Sequence, residues 1–131
     1  MMLLLLGGLV LDASRQLNAR SRAVAYAEEA ARAGASAIDL ASSDLRLKPD
    51  EALGRARTYC GDVTRADPAT TCAPVGVEPV GGTDTRLLVV RVRAEIKIPA
   101  TLLGIVGVRE LTASGEGRAR PMEGVDEEDA R

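Results

Sequence analysis

The 131-residue sequence contains no histidine, no tryptophan and no phenylalanine. Without histidine it lacks the side chain that most often acts as a general base near neutral pH and most often ligates metals. Ser-His-Asp and Cys-His mechanisms are excluded, as are histidine-based zinc sites. Aromatics amount to 2%, namely Tyr26 and Tyr59, although hydrophobic residues reach 46%. The apolar content is therefore Ala, Leu and Val, without the large rings that bury the most area per residue. Such a chain builds a thin core and calls for a crosslink, a partner or a membrane. Lysine is scarce as well, with 2 Lys against 15 Arg, and the net charge is −2. A nucleic-acid binder needs clustered positive charge, and the near balance gives no sign of one. No carboxylate pair forms an acid/base dyad. Asp44, Asp50, Glu51, Asp62 and Asp67 fall in turns and helix starts, where solvation or capping accounts for them. Gly115-x-Gly117 lies inside a strand pattern rather than before a helix, so it is not a phosphate loop. The expectation is a protein that is not an enzyme, with no cofactor, no metal and no small-molecule substrate.

What is present begins with MMLLLLGGLVL, residues 1–11, uncharged until Asp12. As a helix this run spans roughly 16 Å, whereas a bilayer core needs about 30 Å, or about 20 residues. It has no basic n-region and no small-x-small cleavage site, so it reads poorly as a signal peptide. It is read as the second half of a membrane anchor that starts upstream of Met1, with a buried core segment as the plainer alternative. Arg15, Arg20 and Arg22 follow the run. Positive charge favours the cytoplasmic side, so an outward-facing head requires stronger basic charge upstream.

From Leu9 to about Ala41 the chain has no proline and a single interior glycine, Gly34. Good helix formers dominate, and one long helix is predicted. Ala19, Ala23, Ala27, Ala31 and Ala35 recur at four-residue steps beside Ala30 and Gly34. This stripe of small side chains lets another helix or a sheet approach the backbone closely. Either the chain's own sheet or the helices of other subunits fit it, and the membrane-proximal half is assigned to other subunits.

A second, short helix is predicted over residues 49–60, opened by Pro49, Asp50 and Glu51 and closed by Gly61 as C-cap. Cys60 and Cys72 are the only cysteines, separated by the polar stretch GDVTRADPATT. The spacing is not Cys-x-x-Cys, and two thiols cannot fill a zinc site. A structural disulfide in an oxidising compartment is expected, against the alternative of two free thiols in the cytosol. Val75, Val77 and Val80 mark a short strand, followed by a turn at residues 81–84. The strongest strand is 86–98, where Val90, Val92, Ala94, Ile96 and Ile98 alternate with charged residues. A third strand alternates Leu111, Ala113, Gly115, Gly117 and Ala119 with polar residues. The fold class is α+β: a long N-terminal helix on a three-stranded antiparallel sheet, with one short extra helix. Residues 1–41 form the helix, 42–120 the head and 121–131 a disordered acidic tail, with 1–11 as the anchor part. Between the last two strands, PATLLGIVG (99–107) is unusually apolar for a loop. Leu102, Leu103, Ile105 and Val106 either cap the core or form a contact patch for a membrane or a neighbouring subunit.

Three stretches together resemble the TadE/TadG-like family of the Flp (tight-adherence) pilus system, in its short actinobacterial form. They are LLLLGGLVLDASRQLNARSRAVAYAEEAARAGASAID, LLVVRVRAEIKIPATLLGIVGV and LTASGEGRAR, about two-thirds of the chain. The resemblance implies a pilin-like, single-pass membrane protein with its head outside the cytoplasm. It implies a non-catalytic minor pilin or pseudopilin whose partners are the membrane and, through the N-terminal helix, other pilin-like or secretion-system subunits. The competing reading is a stand-alone membrane-anchored extracytoplasmic binding module.

Overall fold

The computed structural model describes residues 1–41, 46–81 and 87–122. Helix α1 runs Met2–Ala35 and helix α2 Pro49–Ala66. Strands β1 (Thr70–Pro79), β2 (Leu88–Pro99) and β3 (Glu110–Ala119) form one antiparallel sheet in the order β1-β2-β3. A 3₁₀ turn, Leu103–Val106, joins β2 to β3. The expected α+β architecture is present.

The alternation in β2 sets the sheet's two faces. Val90, Val92, Ala94 and Ile96 are fully buried against the helices. On the outer face Arg91 bridges Glu78 of β1 at 2.6 Å and Glu116 of β3 at 2.7 Å. This three-strand ion cluster raises the Arg91 pKa, chiefly through Glu116, and holds the Glu116 carboxyl low, chiefly through Arg91.

The small-residue stripe packs inside the molecule. Ala19, Ala23, Ala27 and Ala31 are buried, with between 0% and 2% of their surface exposed. A side chain at Gly115 would strike the backbone of Ala23 and Val24, and one at Gly117 would strike the backbone of Ala27 and Glu28. The inner face of β3 is thus small because α1 lies directly on it. Gly34 serves a different contact: its backbone faces the Ala52 carbonyl of α2 and the Val90 side chain. The core that results is Ala-rich, with Ile96, Val90 and Val92 among its largest fully buried side chains.

Several boundaries differ from the sequence reading. Helix α1 stops at Ala35, not near Ala41. Ala37 accepts the Lys48 N–H at 2.9 Å, and Asp39 donates its N–H to the Arg46 carbonyl at 2.8 Å. Arg55 of α2 caps the reversal by donating to the Ser36 carbonyl at 3.1 Å. This pairing outweighs the helix propensity of residues 37–41. Helix α2 continues through Gly61, which is therefore not its C-cap, because Val63 extends the buried stripe of Ala52, Ala56 and Cys60. Strand β1 begins at Thr70, well before Val75, and the register shifts between Pro74 and Gly76, leaving Val75 53% exposed. Residues 82–84 of the expected turn, Arg86, and 123–131 of the acidic tail lie outside the described residues.

Candidate functional site

One covalent bond and one packing contact tie the head together away from its apolar end. The cysteines form the Cys60–Cys72 disulfide, with Cα atoms 5.0 Å apart, tying α2 to β1. At the α1–α2 contact Tyr59 is half-buried, and its phenol pKa is raised by burial first and by Glu29 second.

The opposite end is dominated by exposed leucines. Around the start of α1, Leu3 is 84% exposed, Leu5 59%, Leu6 52% and Val10 63%. Leu3, Leu6 and Val10 share one helix face, while Leu4 (78% exposed), Leu11 (61%), Leu5 and Leu9 lie on others, so the apolar surface wraps the helix except along the buried Gly8–Asp12 face. A helix hydrophobic on all sides is ordinarily surrounded by apolar matter. No helix among the described residues is long and apolar enough to cross a membrane. Met2–Leu11 extends about 15 Å at the α-helical rise.

The turn between β2 and β3 folds against this helix. Leu102 fills the notch left by the missing side chain of Gly8. Leu102 and Leu103 are half-buried, while Ile105 is 76% and Val106 74% exposed. With Leu5 and Leu9 these four residues line an apolar hollow of about 210 Å³. All four residues of the expected contact patch are therefore gathered beside the apolar start of α1. Two of them grip the helix and two project.

Asp12 holds the turn in place, a role the sequence reading did not assign. It is 2% exposed. Its Oδ1 accepts the Thr101 N–H at 3.2 Å, and its Oδ2 accepts those of Leu102 at 2.9 Å and Leu103 at 3.3 Å. Arg15, one turn on, donates to Thr101 Oγ1 at 2.6 Å. The Leu102 N–H, ahead of the opposing effect of desolvation, keeps the Asp12 carboxyl below its usual pKa range. The spacing carries a signal: Gly8, Asp12 and Ala19 fall on one helix face, so Asp12 continues the buried stripe.

The molecule is thus a small disulfide-tied α+β head on a helix whose first turns are apolar all round. Residues 1–37 match a family model described as "Putative Flp pilus-assembly TadE/G-like". The match covers α1 and its C-cap and most of the first of the three stretches that carried the resemblance. No curated protein and no solved structure matches the chain.

Proposed function

We propose that the protein is a non-catalytic, single-pass, membrane-anchored minor pilin or pseudopilin-like component of a Flp-type pilus or related secretion assembly, with its head outside the cytoplasm. The observation that carries this reading is the coincidence of the TadE/G-like match over residues 1–37 with an α1 start whose leucines are exposed around all of the helix but its Gly8–Asp12 face. The Cys60–Cys72 bond supports an oxidising compartment for the head. The Ala19–Ala31 stripe is occupied by the chain's own sheet. Contacts with other subunits are accordingly assigned to residues 2–17 of α1, where Leu6, Val10 and Leu17 are exposed.

The test is photo-crosslinking in cells that carry the native gene neighbourhood, with a photoreactive residue at Leu6, Val10 or Leu17. Adducts to other pilus-assembly subunits are expected. A membrane-bound protein that yields no such adduct and stays monomeric in detergent instead favours the stand-alone binding module.

A further inference from the structure

We infer that the turn Thr101–Gly107 is a second lipid contact: Ile105 and Val106 enter the same bilayer surface as the start of α1, and Asp12 is the positioning residue that holds the turn there. The inference rests on the reading of Met2–Leu11 as lipid-embedded.

A bilayer is the occupant for three reasons. The first is continuity. Ile105 and Val106 are more than 70% exposed and share one apolar hollow with Leu5 and Leu9, so whatever surrounds those leucines meets the turn as well. The second is the state of the turn's backbone. Irregular backbone enters an apolar layer only when its polar groups are satisfied internally. Here Thr101, Leu102 and Leu103 give their N–H groups to Asp12. The Ala100 N–H goes to the Arg109 carbonyl, that of Ile105 to Leu102, that of Gly107 to Gly104 and that of Val108 to Leu103. Seven N–H groups between Ala100 and Val108 thus have partners within the protein, which lowers the cost of bringing this turn to an apolar layer. The third is the change of polarity along the helix. Apolar residues end at Leu11, and Asp12, Ser14 and Arg15 follow at the level of the turn's base, as at the passage from acyl chains to headgroups. A second protein copy would cover one side of such a helix, whereas its exposed apolar residues occupy every side but the Gly8–Asp12 face, which the turn itself covers.

With two contacts instead of one, the head does not swivel freely about the helix axis. The sheet and the disulfide then face a fixed direction relative to the membrane plane, which a subunit entering an ordered assembly requires.

The chain contains no tryptophan, so single-tryptophan variants report cleanly. Leu4→Trp marks α1, Ile105→Trp and Val106→Trp mark the turn, and Val75→Trp marks the far side of the head. The full chain is reconstituted in phosphatidylcholine–phosphatidylglycerol vesicles, with or without bromine on the acyl chains. The expected result is loss of emission in brominated vesicles for Leu4→Trp, Ile105→Trp and Val106→Trp, and none for Val75→Trp. Adding Asp12→Ala should restore emission at position 105 and leave position 4 quenched. Quenching at position 4 but at neither turn position overturns the second contact and leaves the anchor reading intact. The same pattern with blue-shifted turn tryptophans identifies a second copy of the chain as the cover. No quenching at any position removes the anchor reading and this inference together. Unchanged quenching at position 105 with Asp12→Ala removes the role given to Asp12.

Discussion

Asp12 and Leu102 lie 90 positions apart in the chain, yet the Leu102 N–H meets Asp12 Oδ2 at 2.9 Å. This contact fastens the β2–β3 connection to the first helix and keeps the carboxyl pKa below its ordinary range. A carboxyl whose folded pKa is depressed contributes stability that is complete above its unfolded pKa. The contribution falls away as pH drops through the lower folded value. The Leu102 and Leu103 amide resonances should therefore respond to acid below the ordinary carboxylate range. Asp12→Asn should abolish that response. Titration in the ordinary range would show that the contact does not persist in solution.

The outer-face cluster behaves in the same sense. Glu116 is held low by Arg91, so its share of stability is also lost on acidification. The cluster is partly exposed and therefore screened by salt. Arg91→Gln should flatten the acid limb of the thermal stability profile, and added salt should reduce the difference between variant and parent. A difference indifferent to salt would assign the effect to packing by the arginine stem.

Gly117 and Gly54 form a matched pair. A methyl group at Gly117 meets the backbone of Ala27 and Glu28, where neither helix nor strand has room to give. Gly117→Ala should destabilise by about 1–3 kcal/mol or more, as overpacking does. Gly54 lies inside α2 with nothing within 4 Å of the added carbon. Gly54→Ala should stabilise by about 0.5–1 kcal/mol from helix propensity. Urea unfolding of both variants measures the contrast, and equal effects would contradict the α1–β3 packing.

The disulfide closes a sequence separation of 12 residues in a head whose core is mostly alanine. Replacing both cysteines by alanine should cost about 3 kcal/mol on the loop-entropy model. Denaturant unfolding of the oxidised parent and the double variant reads the difference directly. A difference near zero would mean that α2 and β1 are fixed by packing alone.

The parts of this fold legible in the sequence are those with strict periodicity or unique chemistry. Val90 to Ile98 alternate cleanly, Ala19 to Ala31 step by four, and two lone cysteines have only one intramolecular partner each. Where reading failed, tertiary contacts outweighed local preference. Gly61 has the composition of a helix end, but Val63 one turn from Cys60 finds a buried place, so α2 continues. Residues 37–41 carry helix-forming side chains, but their backbone pairs with residues 46–48. The apolar turn was recognised as a patch from composition. That Leu102 fits over Gly8 and that Asp12 binds three N–H groups depend on contacts across the whole chain, which no local pattern encodes.

Vesicle flotation of the full chain addresses the apolar start of α1 most directly. The parent protein should rise with the vesicles. Leu6→Asp combined with Val10→Asp should remain in the dense fraction with its disulfide and helical content unchanged, since both side chains are more than half exposed and outside the core. Flotation of that folded double variant to the same extent as the parent, or failure of the parent to float, would contradict the account.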